Sequence, residues 1–270
     1  MKEHILSYHQ SQIQYNIIGN GTDVVIAFHG YGEVADSFNI LEDCLPAHLT
    51  LFSITLPLHG NTTWRQTDYF TPQDVLSIIE QILKENNFPS HTFSVAGYSL
   101  GGRICLKLLE KYPERINHTL LLAPDGIKMF LLQYLATQNV FSKQLFTFTI
   151  RHPQWFLTLI KTIKFLRIVH PSIADFVYHL MADKQERTTL YNRWMMFKYL
   201  HPHIDKVKEN IISNNKKVDI IIGEYDKLIK PSTIDGLKNG MDDAHITIHR
   251  IPTGHILMKE KFAQQIASLL

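Results

Sequence analysis

Val24-Val25-Ile26-Ala27-Phe28 is apolar at every position and rich in β-branched residues, the pattern of a strand buried on both faces. The pattern returns at Leu49–Thr55, Thr92–Ala96, Thr119–Leu122, Val218–Ile222 and Ile246–Ile251. Helical stretches lie between several of these runs. Thr71-Pro72-Gln73-Asp74 supplies an N-cap, a proline at the first helical position and an acidic third residue, opening an amphipathic run to about Asn86. Gly101 to Tyr112 forms another, and Lys259 to Leu270 closes the chain. Strands alternating with helices require an α/β architecture: a mostly parallel sheet with helices on both faces. Ahead of it, Ile5–Tyr8 and Gln12–Ile18 alternate apolar with polar residues and are expected to form an antiparallel hairpin at a sheet edge. One segment breaks the alternation. Residues 126–201 contain helix-like runs split by Pro153 and Pro171 and no strand pattern. The expected organisation is a core of residues 1–125 and 202–270 with a helical insertion at 126–201.

At 270 residues and 45% hydrophobic content, the chain is long enough for one large core plus a small accessory layer. A net charge of +2 gives no global support for a nucleic-acid partner. Cys44 and Cys105 are too few for a disulfide scaffold and fit a reducing compartment. The first residues lack the apolar stretch of a secretory signal, and no run approaches the ~18 apolar residues needed to span a bilayer. A soluble cytoplasmic protein is the expectation. The histidines are scattered without ligand spacing, so no metal site is assigned.

Gly97-Tyr98-Ser99-Leu100-Gly101 has the G-x-S-x-G pattern. Its setting gives it weight, because it lies between the strand ending at Ala96 and the helix beginning near Gly101. A strand turning sharply into a helix needs small residues around the turn and holds the central serine in a strained conformation. The serine hydroxyl then stands above the sheet at a helix N-terminus, where developing negative charge is favoured.

These features resemble the α/β-hydrolase superfamily over nearly the whole chain outside the insertion. His29-Gly30-Tyr31-Gly32 follows the first buried strand, where that family carries an HG-x-G turn. Pro57-Leu58-His59-Gly60 is similar to the family's P-G-H-G, with Leu58 in place of glycine. The resemblance implies Ser99 as nucleophile, the backbone N–H groups of Tyr31 and Leu100 as oxyanion donors, and His255, after the last strand, as general base. For the acid that orients the histidine it offers two positions. Asp226, in Gly223-Glu224-Tyr225-Asp226, occupies the usual place, and Asp125, after the preceding core strand, occupies the minority one. The reading favours Asp226. His29 is read as a brace for its turn and Cys105 as a buried apolar residue. No cofactor is required by such chemistry.

By resemblance the insertion is a cap. Its apolar and aromatic content (Met129, Phe130, Phe146, Phe148, Trp155, Phe156, Trp194, Phe197) suits both packing and an apolar pocket. Its excess of basic residues, including Arg151, Lys161, Lys164, Arg167, Arg187 and Arg193, is read as mostly solvated. One or two facing inward would favour an anionic substrate, and a basic amphipathic helix is also compatible with a membrane surface. Gly97 to Arg103 is further similar to the nucleophile segment of the menaquinone-pathway synthase that eliminates pyruvate to form succinyl-hydroxycyclohexadiene carboxylate. That likeness implies an anion-holding role for Tyr98 and Arg103, against which Arg103 is equally an ordinary helix-surface residue. The leading expectation is hydrolysis of a carboxylic ester or thioester of a small to medium, largely apolar molecule. Carbon–carbon bond elimination and a non-enzymatic binding protein on the same fold are the alternatives.

Overall fold

A computed structural model describes residues 3–66, 69–88, 91–128, 137 and 140–270. The chain divides into two compact units, one formed by Met1–Lys128 with Tyr199–Leu270 and the other by Met129–Lys198.

The first unit is built on a sheet of eight strands: β1 (His4–Tyr8), β2 (Ser11–Gly19), β3 (Asp23–Phe28), β4 (Leu49–Ile54), β5 (Phe93–Tyr98), β6 (Ile116–Leu122), β7 (Lys217–Gly223) and β8 (Ile246–Ile251), in the order β1-β2-β4-β3-β5-β6-β7-β8. The expected hairpin is present: β1 and β2 pair antiparallel, and β2 also runs antiparallel to β4. All later pairings are parallel. The apolar runs of β3 to β7 are buried on both faces because helices cover both, so Val25, Ile26 and Ala27 are fully enclosed. Strand β8, at the sheet edge, is buried only at Ile246 and Ile251, which corrects the reading of Ile246–Ile251 as a strand buried on both faces. Helix α1 (Pro72–Glu85) starts as its sequence requires. Thr71 Oγ1 accepts from Asp74 N–H at 3.2 Å while the Asp74 carboxylate accepts from Thr71 N–H at 3.0 Å. Helix α2 (Leu100–Lys111) packs on β3, β5 and β6 on one side and on α1 on another, which buries every residue from Leu100 to Glu110.

The chain leaves β3 towards β4 on one side, then crosses back to place β5 on the other. The strand order reverses there, and in open parallel sheets the crevice outside the carboxyl ends at such a reversal is where ligands bind. The turns after β3 and β5 border that crevice.

In the second unit the described helices are α3 (Val140–Arg151), α4 (Gln154–Phe165), α5 (Pro171–Ala182) and α6 (Lys184–Met196), with no strand among the described residues. Leu157, Met181 and Leu190 form its buried cluster, with Phe156, Val177 and Trp194 packed against it. Met129 and Phe130 lie outside the described residues. Returning to the first unit, α7 (Ile204–Ser213) covers α2, α8 (Pro231–Lys238) follows β7, and α9 (Glu260–Ala267) ends the chain. Among the described residues no helix is long and apolar enough to cross a membrane.

Candidate active site

The turn between β5 and α2 explains the glycines of its motif. A Cβ on Gly101 would lie 1.9 Å from the Phe28 carbonyl oxygen, and one on Gly97 would lie 2.4 Å from the carbonyl oxygen of Gly101. Both obstacles are backbone, which cannot yield as a flexible side chain can. Between them Ser99 adopts φ 51° and ψ −109°, a conformation that costs a non-glycine residue about 1–3 kcal/mol. Hydrogen bonds hold it there: Ser99 N–H donates to Leu122 O at 2.9 Å, and Ser99 O accepts from Gly102 N–H at 3.0 Å and Asp125 N–H at 2.9 Å.

Ser99 Oγ is 3.1 Å from His255 Nε2, and His255 Nδ1 is 2.8 Å from Asp226 Oδ2. A carboxylate only accepts, so Nδ1 carries the proton, and Nε2 is left as an acceptor for the serine hydroxyl. The second Asp226 oxygen accepts from Leu228 N–H at 2.8 Å and Ile229 N–H at 2.9 Å, which fixes the carboxylate plane. Burial alone would raise the Asp226 pKa. The His255 hydrogen bond and the two backbone N–H groups outweigh it and keep the carboxyl below its ordinary value. The pieces come from the carboxyl ends of β5, β7 and β8. Gly223 permits the last two to meet, since a Cβ there would lie 2.2 Å from the Gly254 carbonyl oxygen.

Leu100, as the first residue of α2, has an N–H with no acceptor in a preceding turn, and it is adjacent to Ser99. Tyr31 lies in the turn after β3, beside the turn that carries Ser99. His29 braces that turn: its Nε2 accepts from Leu56 N–H at 3.0 Å, so the proton sits on Nδ1, which donates to Gly30 O at 2.7 Å. Leu58 takes φ +62°, the left-handed region that suits glycine, so the departure from P-G-H-G keeps the backbone shape and accepts the strain.

Asp125 is not joined to His255. Its carboxylate is paired with the Arg103 guanidinium, and Arg103 Nη1 lies 3.2 Å from His201 Nε2. An arginine cannot accept, so His201 is neutral with its lone pair on Nε2. Burial, reinforced by the Arg103 and Lys107 charges, pushes its pKa down to about 3. The helix-surface reading of Arg103 is corrected: only 4% of the residue is exposed. A guanidinium so enclosed needs a counter-charge, and Asp125 provides it. In place of the substrate anion implied by the synthase likeness, Arg103 engages two residues of its own chain. Tyr98 is likewise buried, donating to His255 O at 3.2 Å with its ring 5.6 Å from the imidazole. Burial and the nearby Glu33 charge raise its phenol pKa. Its position is therefore that of a wedge under the histidine loop.

Sequence reasoning missed the continuation of this network. Lys107 Nζ donates to Glu110 Oε2 at 2.8 Å, and the same oxygen accepts from His203 N–H at 2.8 Å. The signal was the i, i+4, i+7 spacing of Arg103, Lys107 and Glu110, which puts three charges on one stripe of a helix whose other faces are apolar. Cys105 is fully buried among apolar neighbours, which raises its thiol pKa. No group of three or more His, Cys, Asp and Glu side chains among the described residues is arranged to hold a metal ion.

Residues 23–262 match the family model of the α/β-hydrolase fold, and the chain belongs to that family. It is similar to a probable serine hydrolase of Drosophila melanogaster, 30% identical over 34% of this chain and 28% of that protein. It is also similar to a monoacylglycerol lipase of Xenopus laevis, 25% identical over 38% of this chain and 31% of that one. The matches thus span about a third of these relatives' length. An α/β-hydrolase enzyme from a Medee basin deep-sea metagenome library shares the fold, with a TM-score of 0.66 at 16% identity over 98% of this chain and 96% of that chain.

Proposed function

We propose that this protein is a serine hydrolase acting on a carboxylic ester or thioester of a small to medium, largely apolar molecule. The observation that carries the reading is the hydrogen-bonded line from Ser99 Oγ through His255 to Asp226. Ser99 Oγ attacks the acyl carbonyl carbon as its proton passes to His255 Nε2. The carbonyl oxygen becomes an oxyanion held by the N–H groups of Tyr31 and Leu100, each donor contributing about 3–4 kcal/mol to the transition state. The imidazolium so formed is stabilised by Asp226, which stays ionised. Collapse breaks the bond to the alcohol or thiol, which leaves with the proton from Nε2. Water, deprotonated by the same nitrogen, then releases the acid and restores Ser99.

The elimination reading needs Arg103 to hold a substrate anion. Engaged with Asp125 and His201, it gives that reading no support. Residues 126–201 enter the chain between β6 and β7, next to Asp125, and we assign them the choice of acyl group. The test is a series of p-nitrophenyl and thioester substrates from acetyl to long acyl chains, with neutral and anionic members. Turnover of neutral esters that Ser99→Ala removes supports the assignment. Turnover confined to elimination substrates contradicts it.

A further inference from the structure

We propose that the Met129–Lys198 unit docks on an anionic phospholipid surface through the apolar tip that ends α4, by contacts separate from the Ser99 chemistry. Residues 126–174 contain no aspartate or glutamate, although the chain has 25. The same stretch carries Lys128, Lys143, Arg151, Lys161, Lys164 and Arg167. Helices that face water alone mix charges of both signs.

Helix α4 carries large apolar residues on its outer side as well as its inner one, beside Gln154, Thr158, Lys161 and Thr162. Leu157 turns inward to Met181 and Leu190, whereas Trp155, Leu159 and Leu166, on one stripe at i, i+4 and i+11, are exposed. The helix then ends in Phe165-Leu166-Arg167-Ile168, with Phe165 85% and Ile168 67% exposed. This tip is fixed by its own backbone. Ile168 N–H donates to Ile163 O at 3.2 Å and Arg167 N–H to Lys164 O at 3.1 Å, the paired bonds of a Schellman ending, with Arg167 at φ +54° where glycine is usual. Such a turn presents two large apolar side chains around an exposed cation. Asp175 pairs with Lys164, but Arg151, Lys161 and Arg167 are exposed.

An exposed apolar stripe whose cations outnumber its one acid, Asp175, is complementary to a partner that is apolar within and negative at its surface. A bilayer containing anionic lipid has both properties. A second copy of this chain does not, because it would bring the same cations to the same face.

The test is sedimentation with vesicles of phosphatidylcholine alone and of equal parts phosphatidylcholine and phosphatidylglycerol. The full chain should bind the anionic vesicles at least ~10-fold more tightly than the neutral ones, and added salt should weaken the binding. Phe165→Ser with Ile168→Ser should weaken it ~10-fold or more, and Lys161→Gln with Arg167→Asn should do likewise. Trp155 emission should shift to the blue with anionic vesicles, a shift that Trp155→Phe removes, so the proposal can be judged on unaltered protein too. Ser99→Ala should bind as the native protein does, which keeps this result distinct from the hydrolase reading. Absence of binding, equal binding to neutral vesicles, or binding that Phe165→Ser with Ile168→Ser leaves intact would overturn the proposal. Concentration-dependent dimers abolished by that same pair would also overturn it, by assigning the face to a second copy.

Discussion

Replacing Arg103 with methionine keeps a side chain of similar length in the space and deletes the charge. The Asp125 carboxylate, whose side chain is 15% exposed, then loses its counter-ion, and His201 Nε2 loses its donor. Breaking a buried pair from one side costs about 3–5 kcal/mol. The partial exposure of Asp125 and its hydrogen bond from Gly126 N–H at 2.6 Å place the expected loss near the lower end, about 3 kcal/mol. At roughly 2–4 °C per kcal/mol for a chain of this size, the melting temperature should fall by about 6–12 °C. Adding Asp125→Leu removes the stranded charge and should recover part of the loss, giving a coupling on the order of 1–3 kcal/mol in a double-mutant cycle. The assay is thermal melting by circular dichroism, with kcat/KM measured in parallel on a neutral and an anionic ester. Both esters should slow by a similar small factor, because Asp125 N–H also supports the Ser99 carbonyl. An unchanged melting temperature would refute the buried-pair reasoning. A ~10- to 100-fold loss selective for the anionic ester would show that Arg103 meets substrate and would revive the elimination reading.

Asp226→Asn should lower kcat by on the order of 10⁴-fold in steady-state assays, since a misoriented imidazole cannot take the proton, while Asp125→Asn should cost less than ~10-fold. The reverse order would move the orienting acid to the earlier strand. His201 is held neutral with its pKa pushed down from 6.5 to about 3, so below pH 6.5 the unfolded chain binds a proton that the folded one does not. Stability from this group should therefore fall by about 1.4 kcal/mol per pH unit as pH drops through that window. Urea melts of His201→Gln across the same window should lose that increment of slope.

Most strands were legible because continuous apolar runs are what burial on two faces demands. Strand β6 is the instructive exception, starting at Ile116 rather than Thr119. Asn117 and His118 interrupt the apolar run, yet His118 satisfies its ring by bonding Asp219 on β7 at 2.9 Å. A cross-strand partner of that kind is invisible to periodicity. The Ser99 turn was readable because its glycines answer to local backbone clearances. The sequence favoured Asp226 over Asp125 but left the earlier position open, since both follow core strands, and the fold separates them by placing Arg103 on Asp125 and His255 on Asp226. Arg103 itself was misjudged for a general reason: a charged residue on a helix usually marks the solvent face, and its burial depends on Asp125 and His201, which are distant in sequence.

The central claim is that Ser99 is the nucleophile, and covalent labelling tests it most directly. The protein should be treated with a fluorophosphonate, digested, and mapped by mass spectrometry, beside Ser99→Ala. The account predicts a single phosphonylated peptide carrying the adduct on Ser99, no adduct in Ser99→Ala, and ester turnover lost in proportion to labelling. An adduct on another serine, with turnover intact in Ser99→Ala, would contradict it.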